Sequence, residues 1–203
     1  TTFMHKLYHK LLLSNRSNGI NIQEYDLKEY WTHLAVLFQD FSQYPFSAKE
    51  SIGIGSPLKI NNLKEIKKAA KLTGVDEFIN KLPLGYDTSL TKDFEKGVEP
   101  SKGQWQRIAL ARTLFRDADI IVLDEPTSNV DPKAEEEIFD KIIELSQDKT
   151  LILISHRYST VRKADKILNL DNGIIVEQGT HQELMDKKGE YSKLFKLQAK
   201  GYQ

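Results

Sequence analysis

Two short runs of exclusively apolar residues constrain the fold of this chain most strongly. They are residues 120–123 (IIVL) and 151–154 (LILI), and segments with helical apolar spacing, 105–116 and 132–146, precede them. Strands that are apolar on both faces belong to parallel sheets that helices cover on both sides. The pattern therefore predicts an α/β fold with right-handed β-α-β connections.

The other segments can be arranged around such a sheet. Apolar periodicity predicts a helix at 3–13, a short strand at 34–38, a helical region at 63–81 broken at Gly74, and a closing helix or helix pair at 181–199. The dipeptide Asn172-Gly173 between two β-rich runs is typical of a hairpin. No clear strand precedes the turn at Asn18-Gly19.

Composition excludes several classes of function. The 203 residues contain 29 basic and 29 acidic side chains and no cysteine, so neither a general nucleic-acid footprint nor a disulfide scaffold is expected. No apolar run reaches about 18 residues and no signal peptide is recognisable. We therefore expect a chain that lies in the cytosol and does not cross a membrane by itself. Because it begins at Thr1 without Met, we also expect that upstream sequence has been lost.

An acidic pair, Asp124 and Glu125, follows the first apolar run. Ligands of open α/β sheets bind outside the carboxyl ends of the strands, where this pair would lie. Nucleotide hydrolysis needs one carboxylate to hold Mg²⁺ and a second to orient or deprotonate water. The alternative is that one of the two residues only caps the next helix.

Three further features are weaker when each is taken alone. His156 follows the second apolar run and offers a donor to a terminal phosphate, although a loop histidine is the simpler explanation. Gln39 follows the strand at 34–38 and offers an amide oxygen to a cation, or is a solvated loop residue. The tetrapeptide Ser101, Lys102, Gly103 and Gln104 opens a helix and is either an anion site or an ordinary cap.

Taken together, five segments resemble the motifs of the nucleotide-binding domain of ATP-binding cassette (ABC) transporters. In chain order they are FQD, PSKGQWQR, IIVLDEP, SNVD and SHR, which are similar to the glutamine loop, the signature, the Walker B strand, the D-loop and the switch-histidine motif. The resemblance covers essentially the whole chain. It implies a single domain over 1–203, a P-loop NTPase-like sheet that is mostly parallel and covered by helices, and a helical signature subdomain at about 42–115.

The resemblance also implies roles for individual residues in binding ATP and Mg²⁺. Asp124, Gln39 and Thr1 would serve the metal, and Glu125 would act as the base for water. His156 would contact the γ-phosphate. Gln39 would also link the metal to the transmembrane subunit.

In this family two nucleotide-binding domains dimerise head to tail. The turn formed by Ser101, Lys102, Gly103 and Gln104 would serve the nucleotide held by the other domain, and Asp131 would arrange the interface. Segments after Gln39 and near the end of the chain are similar to exporters. The implied partners are a second nucleotide-binding domain and a transmembrane domain fused upstream, at the cytoplasmic face of the cell membrane.

The chain departs from the family pattern in two places. No G-x-x-x-x-G-K-[ST] motif occurs, so we expect that the Walker A segment and the upstream strands are missing and that Thr1 matches the hydroxyl of that motif. Lys102 replaces the first signature glycine. Two hypotheses follow: an ATPase domain that powers export, or a catalytically incompetent cassette that only dimerises. A cassette acting on DNA or ribosomes is disfavoured, because no heptads, zinc-type cysteines or basic arm occur.

Overall fold

The computed structural model describes residues 16–17, 20–21, 24 and 26–200. These residues form two compact units, 16–154 and 155–200. The helix predicted at 3–13 and the predicted metal ligand Thr1 lie outside the described residues. Within the described ranges, no helix is both long and apolar enough to cross a membrane.

The first unit is built around a parallel sheet. The strands of this unit are β1 (Arg16–Ser17), β2 (Ile20–Asn21), β3 (Leu34–Leu37), β4 (Ile120–Asp124) and β5 (Thr150–Ile154). The last three form one sheet in the order β3-β4-β5, and both pairs are parallel. The prediction of an α/β fold with a parallel sheet is therefore confirmed.

The expectation that no strand precedes the Asn-Gly turn was wrong. Strand β1 lies immediately before that dipeptide and pairs antiparallel with β2, with Ser17 opposite Ile20. Two residues on each side are too few to produce an alternating apolar pattern, and this is why periodicity did not reveal the pair.

In the described part of the first unit, six α-helices accompany these strands. They are α1 (Leu27–Thr32), α2 (Ala48–Gly53), α3 (Leu63–Leu72), α4 (Asp76–Asn80), α5 (Lys102–Phe115) and α6 (Pro132–Leu145). Four of them, α2 to α5, lie between β3 and β4 in the sequence, in the region predicted as a helical subdomain at about 42–115. The predicted break at Gly74 is present, with a φ of +69° that separates α3 from α4. Whether these helices form a subdomain of their own stays a prediction.

Helix α5 connects two hydrophobic cores. One side of the helix contributes Ile108, Ala111 and Phe115 to the core of the helical region. The other contributes Ala109 and Leu110 to the core against the parallel sheet. Because both sides are buried, α5 packs between the helical region and the sheet that carries the acidic pair.

Among its described residues, the second unit contains a hairpin and three α-helices. Its elements are α7 (Tyr158–Val161), β6 (Ile167–Asp171), β7 (Ile174–Gly179), α8 (His181–Lys187) and α9 (Glu190–Lys200). The hairpin predicted at Asn172-Gly173 is confirmed: β6 and β7 pair antiparallel, and the two turn residues have φ values of +47° and +81°. A positive φ at both positions is the reason that this turn favours Asn-Gly.

Candidate functional site

The acidic pair lies at the carboxyl end of β4. Asp124 is the last residue of the strand and Glu125 the first residue after it. Glu125 has a φ of +46°, and its backbone N–H donates to the carbonyl oxygen of Ile154 over 3.0 Å. A non-glycine residue in the left-handed region costs on the order of 1–3 kcal/mol and persists only where its surroundings hold it. The chain therefore turns sharply at the residue that the sequence predicts to be the base.

Gln39 meets Glu125 at the same sheet edge. Gln39 lies two residues beyond β3, the parallel neighbour of β4, and its Nε2 donates to Oε2 of Glu125 over 3.2 Å. The two residues are 86 positions apart in the sequence. The structure thus brings together two predicted site residues that follow separate strands.

Asp124 lies in an environment that disfavours its charge. Partial burial raises the pKa of the Asp124 carboxyl, and the neighbouring carboxylates of Glu125 and Asp40 raise it further. A bound cation would remove this penalty. Carboxylate and amide oxygens are the ligands that Mg²⁺ prefers, and at nucleotide sites the protein commonly supplies only one or two of them.

The donor set fits that limited role. Among the described residues, no group of three or more His, Cys, Asp or Glu side chains could hold a metal ion. Asp124 and Gln39 could together supply two oxygen ligands, with phosphate oxygens and water completing the shell. The arrangement is therefore suited to a metal that arrives with a phosphorylated substrate.

The predicted signature turn forms the start of α5. The Ser101 Oγ accepts from the backbone N–H of Gln104, and the Gln104 side chain accepts from the backbone N–H of Ser101 over 2.7 Å. This capping box starts the helix at Lys102, three residues before the predicted start at Trp105. The tetrapeptide thus forms a helix cap, which was one of its two interpretations. Ser101 and Lys102 are exposed, and Gly103 and Gln104 are partly buried.

Asp131 occupies the N-cap of α6. Its Oδ1 accepts from the backbone N–H of Ala134 over 3.0 Å, and its Oδ2 lies 3.7 Å from Nη2 of Arg107 on α5. The carboxylate is exposed. Its contacts explain how the loop after the acidic pair is anchored, and the predicted role at a dimer interface stays a prediction.

A residue that the sequence analysis missed lies between these features. Gln106 is 2% exposed, and its side-chain amide contacts the backbone of Glu125 and of Asn129 as well as the hydroxyl of Ser128. The only sequence signal for Gln106 was that it is a polar residue at a position of α5 where apolar neighbours predict burial.

A second buried pair joins Thr127 to Glu135 through a 2.9 Å hydrogen bond.

His156 belongs to the second unit. It is exposed, two residues after the end of β5, and its backbone carbonyl accepts from Nε2 of Gln198 over 3.1 Å. Its side chain therefore remains a candidate by its position in the sequence. The first unit, in contrast, brings Gln39, Asp124 and Glu125 together in one place.

Comparisons with known proteins point in one direction. A family model described as ABC transporter matches residues 4–128. The subtilin transport ATP-binding protein SpaT of Bacillus subtilis is 42% identical over 177 residues, which are 87% of this chain and 29% of that protein. An ATP-dependent lipid A-core flippase of Idiomarina loihiensis is 41% identical over 184 residues, which are 91% of this chain and 31% of the flippase.

A solved structure shows the same similarity in three dimensions. The structure of a bacterial Atm1-family ABC exporter with ATP bound matches 98% of this chain with a TM-score of 0.83 and 29% sequence identity. The match covers 35% of the exporter chain. This chain thus spans about a third or less of the length of the proteins that it matches.

Proposed function

The chain belongs to the ABC transporter family, and on this premise we propose that it binds and hydrolyses ATP to power export across a membrane. The observation that carries the proposal is the contact between Gln39 and Glu125, beside Asp124, at the carboxyl ends of two adjacent parallel strands. Ligands of open α/β sheets bind outside this edge. The names of the similar proteins, a transport ATP-binding protein and an ATP-dependent flippase, support ATP-driven transport.

In the proposed reaction, Glu125 acts on water. Its carboxylate takes a proton from the water molecule while the water oxygen forms a bond to the γ-phosphorus. The bond from that phosphorus to the bridging oxygen breaks, and ADP and phosphate are the products. The hydrogen bond from Gln39 fixes one oxygen of the carboxylate, and a positioned general base contributes about 10²–10⁴ in rate.

Mg²⁺ would be held by Asp124, Gln39 and Thr1, and when bound it supplies positive charge to the phosphates. The raised pKa of Asp124 supports this assignment, because a cation would favour the ionised carboxylate. His156 is proposed to donate a hydrogen bond to the γ-phosphate.

The proposed partner is a second nucleotide-binding domain. Ser101, Lys102, Gly103 and Gln104 would face the nucleotide held by that domain, and Asp131 would lie at the interface. The exposure of Ser101, Lys102 and Asp131 supports a role on a contact surface. A fused transmembrane domain would place the chain at the cytoplasmic face of the cell membrane, and the balanced charge gives no reason to expect a nucleic acid.

A second candidate is a cassette that dimerises without turnover. Lys102 favours it, because the family pattern has a glycine at this position and a lysine adds bulk and charge beside the phosphate of the partner domain. Backbone N–H groups at the start of α5 could still donate to a phosphate, and we therefore place ATP hydrolysis first.

The test uses the natural protein, produced from its complete gene and reconstituted in lipid. Steady-state ATP hydrolysis and ATP–Mg²⁺ affinity are measured for the parent and for Glu125→Gln, which keeps the size and hydrogen bonding of the side chain but removes the base. We expect the rate to fall about 10²–10⁴-fold while binding is retained. The matched control is Glu137→Gln, an exposed glutamate on α6, which should retain the parent rate.

The outcomes separate the two candidates. Hydrolysis by the parent and its loss in Glu125→Gln support the ATPase. Hydrolysis by Glu125→Gln at the parent rate would show that another group activates the water. A parent that binds ATP and dimerises without turnover would favour the incompetent cassette.

A further inference from the structure

The side-chain amide of Gln106 uses its complete hydrogen-bonding capacity within one turn of the chain. Its Nε2 donates to the backbone carbonyl of Glu125 over 2.9 Å and to Oγ of Ser128 over 3.0 Å. Its Oε1 accepts from the backbone N–H of Asn129 over 2.9 Å and from Nδ2 of Asn129 over 3.1 Å. An amide has two donors and two acceptor sites, so none remains unused.

The orientation of this amide is determined by the backbone. The carbonyl of Glu125 can only accept and the N–H of Asn129 can only donate, so the two ends of the Gln106 amide cannot be exchanged. A carboxylate of the same size could satisfy Asn129 but would place a negatively charged oxygen against the carbonyl of Glu125. The site therefore requires glutamine for a chemical reason that size alone does not supply.

The turn that Gln106 holds begins at a strained residue. Glu125 adopts a φ of +46°, and such a conformation persists when surrounding contacts determine it. The N–H of Glu125 is bound to Ile154, and its carbonyl also accepts from the N–H of Ser128 over 3.3 Å. The side chain of Gln106 ties this carbonyl to α5, a helix that packs between two cores.

We propose that Gln106 is a positioning residue for Glu125, an inference that rests on the ATPase activity proposed above. By holding the Glu125 carbonyl and the Asn129 N–H at fixed places, it sets the direction in which the Glu125 carboxylate leaves the chain. It also links the acidic pair directly to α5, the helix that Ser101 caps and that contains Gly103. A displacement of about 1 Å of a catalytic group is enough to reduce a rate about 100-fold.

The principal variant is Gln106→Glu in the natural protein. It keeps the size of the side chain, removes the donor to Glu125 and Ser128, and places a carboxylate oxygen against the Glu125 carbonyl. We expect kcat for ATP hydrolysis to fall about 10- to 100-fold while the affinity for ATP–Mg²⁺ stays near that of the parent. Gln147→Glu, the same chemical change at an exposed site between α6 and β5, should keep the parent kcat.

A double variant separates positioning from a general structural effect. If Gln106 acts through Glu125, adding Gln106→Glu to Glu125→Gln should produce little further loss, because the base is already absent. Equal losses of kcat in both backgrounds would overturn the proposal. A folded Gln106→Glu variant with the parent kcat would overturn it as well.

A measurement independent of activity examines the turn itself. Amide hydrogen exchange in the peptide covering residues 124–131 should become faster in Gln106→Glu and stay unchanged in Gln147→Glu. Unchanged exchange in this peptide would overturn the proposal even if the parent is an active ATPase. An inactive parent with the expected change in exchange would instead refute the proposed function alone. If Gln106→Glu does not fold, Gln106→Asn, which keeps the amide but shortens its reach, is judged by the same criteria.

Discussion

Gly103, in the first turn of α5, packs against the carbonyl oxygen of Asn129 so closely that a methyl group there would lie 2.7 Å from that oxygen. Contacts of this length are not tolerated between a side-chain carbon and a backbone oxygen, so one of the two segments would have to move. The predicted signature turn and the loop after Glu125 are therefore in direct backbone contact.

This contact predicts the effect of Gly103→Ala. Alanine favours a helix, but here it should lower the free energy of unfolding by about 1–3 kcal/mol, as overpacked sites do. A decrease in the melting temperature of the natural protein, with faster hydrogen exchange at 124–131, would show it. Lys102→Ala serves as the control, because this neighbouring side chain is exposed and its removal should change stability by less than about 0.5 kcal/mol. Equal melting temperatures for Gly103→Ala and the parent would contradict the prediction.

The sequence predicted the main elements of the fold because their causes are local. Apolar runs formed β4 and β5, and the Asn172-Gly173 dipeptide formed the hairpin through its two positive φ values. Helix α1 was not predicted. It covers only six residues, and no apolar periodicity marks the segment after its cap, Asp26. Elements shorter than about two turns leave too few positions for a periodic signal.

The candidate site was predictable only in part. Asp124, Glu125 and Gln39 could be found because each follows a strand, and the carboxyl ends of parallel strands meet at one edge. Gln106 could not be found in this way, since its partners lie 19 to 23 residues further along the chain and become neighbours only when α5 packs on the sheet. The roles of all these residues in catalysis stay predictions.

Replacing His156 by alanine tests the predicted phosphate contact. The substitution leaves the backbone carbonyl that accepts from Gln198 and removes only the imidazole. Loss of one hydrogen bond to a charged phosphate is worth about 1.5–3 kcal/mol, so turnover should fall about 10- to 100-fold. Steady-state ATPase assays of the natural protein measure this.

The matched control for that assay is His33→Ala. His33 precedes β3, at the opposite end of the strand from Gln39, and its Nδ1 lies 2.5 Å from Oδ2 of Asp119. We expect turnover to stay within about twofold of the parent, as for a surface change outside the site. A parent-like rate in His156→Ala would show that the imidazole takes no part in hydrolysis.

Asp117 gives a stability prediction that depends on pH. Nζ of Lys149 lies 2.6 Å from its Oδ1, and this hydrogen bond, together with the charges of Lys149, Lys59 and Lys68, lowers the pKa of the Asp117 carboxyl. A lowered pKa means that the ionised form is stabilised by folding. The contribution is therefore present above about pH 4 and is lost as the pH falls through the lowered pKa.

Asp117→Asn should consequently destabilise the protein near pH 7 and have a decreasing effect below about pH 4. Asparagine tolerates the positive φ of +57° at this position, so the backbone is not strained further. The Asp117 side chain is 65% exposed, which limits the expected loss to at most about 1 kcal/mol. Melting temperatures across this pH range test the prediction against Asp148→Asn, an exposed control beside Lys149. An effect of Asp117→Asn that does not change with pH would exclude the ion pair as its cause.

The last prediction concerns the 203-residue chain produced alone. Among the described residues, β5 pairs only with β4, and the side chains of Ile174, Ile175 and Val176 on β7 are 47–67% exposed. Unpaired strand edges and exposed apolar rows promote association between chains, so light scattering at micromolar concentration should detect oligomers or aggregates.

Ile174→Lys should reduce this association without loss of the hairpin, because residue 174 pairs with Asp171 and opposite charges across strands are favourable. Leu58→Lys, at a fully exposed leucine outside the sheets, should not reduce it. A monomeric parent, or equal solubilisation by both lysine variants, would show that the strands are not the surfaces through which the chain associates.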